Sequence, residues 1–176
     1  MIKEQSLHSK QCYKQWLQVN NPPWLTNQSL RLVSLIVNSY RIAFDNSLIT
    51  YPGVIHSNRQ QAKILFTMPN PVMAHDASTD PCLNYANASA LRLWSRCWDE
   101  MIGMPSRLTT PEEERAKRQH ALLDVNREHA IKNYQGIRIN SKGEYFSIKN
   151  ARIWTIWDEN NLIYGQAASL NNWCRI

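Results

Sequence analysis

His75 and Asp76 stand side by side in the run Ala74-His75-Asp76, a pairing in which a carboxylate can orient an imidazole for acid–base or nucleophilic chemistry. Consecutive residues of a strand point to opposite faces, so in an extended segment these two side chains cannot meet. No Ser or Cys in a strand-to-helix elbow accompanies them. His75 is read as lying in or at the end of a strand, with Asp76 in the turn that follows. Glu112, Glu113 and Glu114 form a second concentration of carboxylates. The first turn of a helix favours acidic groups through its dipole, so no acid–base role is required of them. Cys12, Cys82, Cys97 and Cys174 include no C-x-x-C pair, so neither a metal knuckle nor a redox motif is present. They are read as free thiols of a reducing compartment. No catalytic set survives these tests, and the chain is expected to be non-enzymatic.

The elements that must position any site divide the chain in two. Leu7 to Val19 has Tyr13, Trp16 and Leu17 at helical spacing and stops before Asn20-Asn21-Pro22-Pro23. A second helix is predicted from a cap at Thr26 or Asn27, with Leu30, Val33, Val37, Tyr40 and Phe44 along one apolar face. That face must lie on the domain or on a second copy of the chain. After a short helix over 58–66, the pattern changes to strands at Pro71 to Asp76 and Cys82 to Tyr85. Short helices follow around Ala88 to Trp94 and Trp98 to Met101. Thr110-Pro111-Glu112-Glu113 predicts a capping box and a helix running to about Ala130, on which His120 and His129 would sit. The last third reads as a three-strand antiparallel meander over 134–139, 144–157 and 162–170, with turns at Asn140-Ser141-Lys142-Gly143 and Asp158-Glu159-Asn160-Asn161.

With 176 residues, 43% of them apolar, and seven Trp, the chain can build a full core, which excludes a disordered protein. No apolar stretch approaches the roughly 20 residues of a membrane span, and no secretory leader is read at the N-terminus. A cytoplasmic location is therefore expected. The net charge of +6 is spread without a dense basic run, so a nucleic-acid partner is not expected.

Two strands, a helical middle and three long strands are the order of a PAS domain, an α+β fold with a five-stranded antiparallel sheet and helices on one face. Asn84-Tyr85-Ala86-Asn87-Ala88-Ser89-Ala90-Leu91-Arg92-Leu93-Trp94 resembles the PAS stretch where the second strand ends at Asn and enters a helix. Asp99-Glu100-Met101-Ile102-Gly103-Met104-Pro105 resembles the stretch that follows it. More specifically, the chain resembles a stand-alone member of the MEKHLA domain family, a PAS-like family that also forms the C-terminal domain of plant class III homeodomain–leucine zipper proteins. The matching runs include Ala74 to Asn87, Trp98 to Leu108, Tyr134 to Ile139, Ile153-Trp154 and Gly165-Gln166-Ala167-Ala168. The expected organisation is an N-terminal helical extension over 1–63 and a PAS-like domain over 64–176.

The resemblance implies sensing or regulation by protein contact, without assigning a ligand. A pocket would lie between the sheet and the helical middle, lined by Tyr85, Trp98, Arg107, Arg138, Trp154 and Gln166. Aromatic walls with two arginines would suit a small acidic or aromatic ligand. Flavin-binding relatives place a Gln on the last strand, but there it stands one residue further from the glycine than Gln166 does from Gly165. That offset is expected to turn Gln166 to the other face. Cys97, in Arg96-Cys97-Trp98, does not match the reactive cysteine word of those relatives. His120 and His129 are read as solvent-facing, so haem is set aside as well, and the cofactor is left unassigned. The alternative to a ligand sensor is an interaction module with a filled core that forms a homodimer through the helix at 28–44. An enzyme using the same cavity is a third and weaker reading.

Overall fold

The computed structural model describes residues 22–176, apart from the side chains of 124–127. The helix expected over Leu7 to Val19 lies outside the described residues. Helix α1 spans Asn27–Phe44 and starts where expected, with the Thr26 hydroxyl accepting from the Ser29 amide. Helix α2 spans Asn58–Thr67 and is capped in the same way by Ser57. Strands β1 (Val72–Asp76) and β2 (Leu83–Ala86) follow, then α3 (Ala88–Trp94), α4 (Trp98–Met101) and α5 (Arg115–Glu128). Strands β3 (Ala130–Ile139), β4 (Tyr145–Trp157) and β5 (Ile163–Ser169) close the sheet.

The sheet is antiparallel in the order β2-β1-β5-β4-β3. A short strand beyond the predicted meander, β6 (Asn172–Arg175), pairs with Phe146 to Lys149 and so continues β5 along the same edge of β4. Its four residues are all exposed, so no buried alternation marked it in the sequence.

Helix α5 lies over one face of the sheet and α1 and α2 cover the other, while α3 and α4 contribute to both cores, through Ala88 and Trp98 beneath α1 and α2 and through Ala90, Trp94 and Met101 on the opposite side. The apolar face of α1 is thus buried within its own chain. Leu32, Val33, Leu35, Ile36 and Tyr40 pack with Trp24, Leu65 and Phe66 and with Trp154 and Ile156 of β4. Polar bonds fix the seating: Trp154 Nε1 donates to the Ile36 carbonyl at 3.2 Å, and the Trp157 amide donates to the Ser39 hydroxyl at 2.9 Å. Arg152 donates to the Tyr40 hydroxyl. The described part of the expected extension therefore shares one core with the sheet.

Two local expectations are corrected. The Thr110 capping box does not form: a 3-10 turn covers Glu112–Glu114 before α5 begins at Arg115. The Thr110 amide closes the preceding turn onto the Arg107 carbonyl, and its side chain is buried instead of reaching Glu113. His129 is not helical. It takes a left-handed backbone (φ 62°) between α5 and β3, where its ring meets Trp157 edge-on.

Candidate functional site

Between the inner face of the sheet and α5 lies a chamber of about 50 Å³. Strand alternation decides what enters it. Met73 and His75 of β1, Ile148, Ala151 and Ile153 of β4, and Gln166 and Ala168 of β5 all face inward. Strand β3 supplies Tyr134 and Arg138, and α5 lays Arg118 and Leu122 over the top. The 3-10 turn at Ser106–Thr109 is stitched to the β2 side by the Ser106 amide on the Pro81 carbonyl and by the Leu83 amide on the Met104 carbonyl. That stitching brings Thr109 to the wall and Ser106 to Arg118, which donates to its hydroxyl at 3.1 Å.

Arg138 is 7% exposed, an unusual burial for a permanent cation. Its guanidinium folds back along β3, donating to the Ile137 carbonyl at 2.8 Å and to the Tyr134 hydroxyl at 3.1 Å, with its carbon 5.4 Å from the Tyr134 ring centre. Gly136 makes that path available. A methyl group there would stand 2.9 Å from the Tyr134 hydroxyl and 3.0 Å from Arg138 Nη1. Burial, and then repulsion from Arg138, push the Arg118 guanidinium down to about 10. Among the described residues neither guanidinium forms an ion pair.

The chamber borders an open cleft of about 710 Å³, with which it shares His75, Arg118, Leu122 and Gln166. Arg107 and Arg115 stand on its rim. Burial holds the His75 imidazole below its ordinary value; Arg118 adds to this and the Asp76 carbonyl, 2.8 Å from Nδ1, opposes it. Burial would raise the Asp76 carboxyl, but hydrogen bonds from the Ser78 hydroxyl and the Ser78 and Cys82 amides outweigh it and hold the group low. The two neighbours do not pair side chain to side chain, and both belong to β1.

Of the six residues expected to line a pocket, the structure brings Arg138 and Gln166 to the chamber. Arg107 stands on the rim of the cleft and pairs with Asp80 at 3.0 Å. Tyr85, Trp98 and Trp154 are a correction: they lie in the core beneath α1 and α2. Trp154 follows the inward-facing Ile153 and so points to α1, and Trp98 packs on Phe66 and Tyr85 at centroid distances of 6.3 and 6.0 Å. The expected reversal of Gln166 is also corrected, because its side chain faces the chamber and donates to the Leu122 carbonyl at 3.3 Å. Sequence reasoning missed Arg118, Tyr134 and Gly136. Arg118 sits on a helix without an apolar stripe, so nothing marked which side is buried, whereas Tyr134 and Gly136 share the alternation that places Arg138.

A family model, that of the MEKHLA domain, matches residues 30–175. Among solved structures, the chain is similar to the PAS domain of a protein from Colwellia psychrerythraea, with TM-score 0.58 and 14% identity, covering 65% of this chain and 94% of that one. It is also similar to an RNA-binding light-oxygen-voltage receptor, with TM-score 0.57 and 16% identity over 72% of this chain and 36% of the receptor. A light-oxygen-voltage domain studied with a flavin analogue aligns with TM-score 0.52 and 16% identity, over 65% of this chain and 83% of that one. No curated protein matches the chain significantly. The chamber by itself is far below the several hundred Å³ of a usual cofactor site, and no cysteine lines it. Among the described residues no cluster of His, Cys, Asp or Glu could hold a metal ion, and no helix is long and apolar enough to cross a membrane.

Proposed function

We propose that this chain, which belongs to the MEKHLA domain family, is a non-catalytic sensory module that takes a small ligand between its sheet and α5 and signals through the position of that helix. The carrying observation is a chamber that sets Arg118 and Arg138 in largely apolar walls and opens onto a wider cleft beneath α5. Among the described side chains of α5, Ala116, Lys117, Gln119, His120 and Leu123 are exposed, while Arg118 and Leu122 face the chamber. Elements that bury little apolar surface are those from which switches are drawn. The non-catalytic reading is supported by the company His75 keeps: its Nδ1 meets a backbone carbonyl, Arg118 is nearby, and among the described residues it has no side-chain hydrogen bond to a carboxylate or a nucleophile. A cytoplasmic setting is part of the same reading.

Native mass spectrometry of the purified protein, with an absorbance scan on the same sample, tests it. The expected result is a bound species of small mass that is lost on denaturation. A second reading, an interaction module with a filled core, is favoured by the small chamber and by Ile42, 72% exposed on the outer side of α1. A bare dimer mass, with no added species, would select it.

A further inference from the structure

We infer that the ligand is a small organic carboxylate whose head group bridges Arg118 of α5 and Arg138 of β3. This inference rests on the sensor reading and names its ligand class. Two guanidiniums face one chamber with no acidic partner among the described residues, an arrangement that costs both desolvation and repulsion. An anion between them removes both costs. Arg138 uses two hydrogen bonds and Arg118 one, and a guanidinium carries more N–H groups than that. The planar fork of each matches a carboxylate.

Size separates the oxyanions. A chamber of about 50 Å³ takes roughly three water-sized groups, the heavy-atom count of a carboxylate head and less than that of a phosphate. The head fills the chamber, so the hydrocarbon or aryl body extends past Leu122 into the cleft. Because one arginine belongs to the helix and the other to the sheet, the bound acid closes α5 onto the sheet. The empty site pushes them apart.

The test is isothermal titration of the full chain with benzoate, hexanoate and inorganic phosphate, using benzamide as the uncharged counterpart of benzoate. One of the two acids should bind about tenfold or more tighter than benzamide and phosphate, and should slow amide exchange along α5. Arg138→Gln should lose at least that factor. Arg118→Gln, on a mostly exposed helix, should do the same and covers the case in which the first variant fails to fold. Equal binding of benzoate and benzamide, tighter binding of phosphate, unchanged binding by Arg118→Gln, or no binding of either acid would overturn the inference. A co-purified neutral species unaffected by both substitutions would sink the carboxylate while leaving the sensor reading intact. Absence of any species together with failure of both acids would sink both.

Discussion

A methyl group on Gly165 would stand 2.0 Å from the carbonyl oxygen of His75, because β5 and β1 run backbone against backbone at the mouth of the cleft. The obstacle is main chain, which cannot swing aside as a side-chain tip would. Gly165→Ala must therefore part the strands where His75 and Gln166 enter the chamber. Overpacking of this kind costs about 1–3 kcal/mol, so the melting temperature should fall by roughly 3–10 °C. An unchanged melting temperature would show that the strands have room there.

Gly136 presents the opposite case, since the atoms a new side chain would meet there are the tips of Tyr134 and Arg138. Gly136→Val should displace the guanidinium without disturbing a β3 backbone that, among the described residues, pairs with β4 alone. Stability should stay within about 0.5 kcal/mol, while affinity for benzoate drops about tenfold. Calorimetric titration beside a thermal melt separates the two effects, and a variant that melts early with its affinity intact would contradict this account.

The sheet was legible because its strands are apolar runs with turn residues at their ends, as in β4, where Phe146 and Ile148 are buried between more exposed neighbours. Part of the site was legible for the same reason, since Arg138 follows from strand alternation, whereas the offset from Gly165 pointed Gln166 away from the chamber that it enters. The aromatic wall was not. Tryptophans suit a ligand pocket and a helix-covered core equally, and only the docking of α1 decides that Trp154 belongs to the core. Arg118 was hidden because the apolar residues of its helix, Ala116, Leu122, Leu123 and Val125, form no stripe from which a buried face can be read.

His75 supplies a pH dependence that can be assigned a sign. Its folded imidazole is held below the ordinary value by burial and by Arg118, so the unfolded chain binds the proton more readily. The stability this contributes is present above about pH 6.5 and is lost as pH falls through the depressed folded value. Unfolding free energy measured by denaturant titration should therefore drop on acidification below about pH 6.5, and His75→Gln should flatten that part of the profile. A drop of equal depth in the variant would place its origin elsewhere.

Asn87 is 0% exposed and joins four parts of the chain through one side chain. Its Oδ1 accepts from the Val72 and Ala90 amides at 3.0 Å each, capping α3 and holding β1. Its Nδ2 donates to the Leu65 carbonyl at 3.2 Å and the Asn70 carbonyl at 2.8 Å, tying in α2 and the loop after it. Asn87→Asp keeps the cap acceptor, and Asp caps helices as well as Asn does. It nevertheless turns both donors into acceptors aimed at carbonyl oxygens and buries a charge. The loss should be about 2–4 kcal/mol at neutral pH. It should ease as pH is lowered, because the folded state raises the affinity of the introduced carboxyl for a proton, which restores a donor. Denaturant titrations at neutral and acidic pH, with amide exchange at Val72 and Ala90, measure both parts. No penalty at neutral pH would mean that capping, and not the two donated bonds, is what Asn87 contributes to the fold.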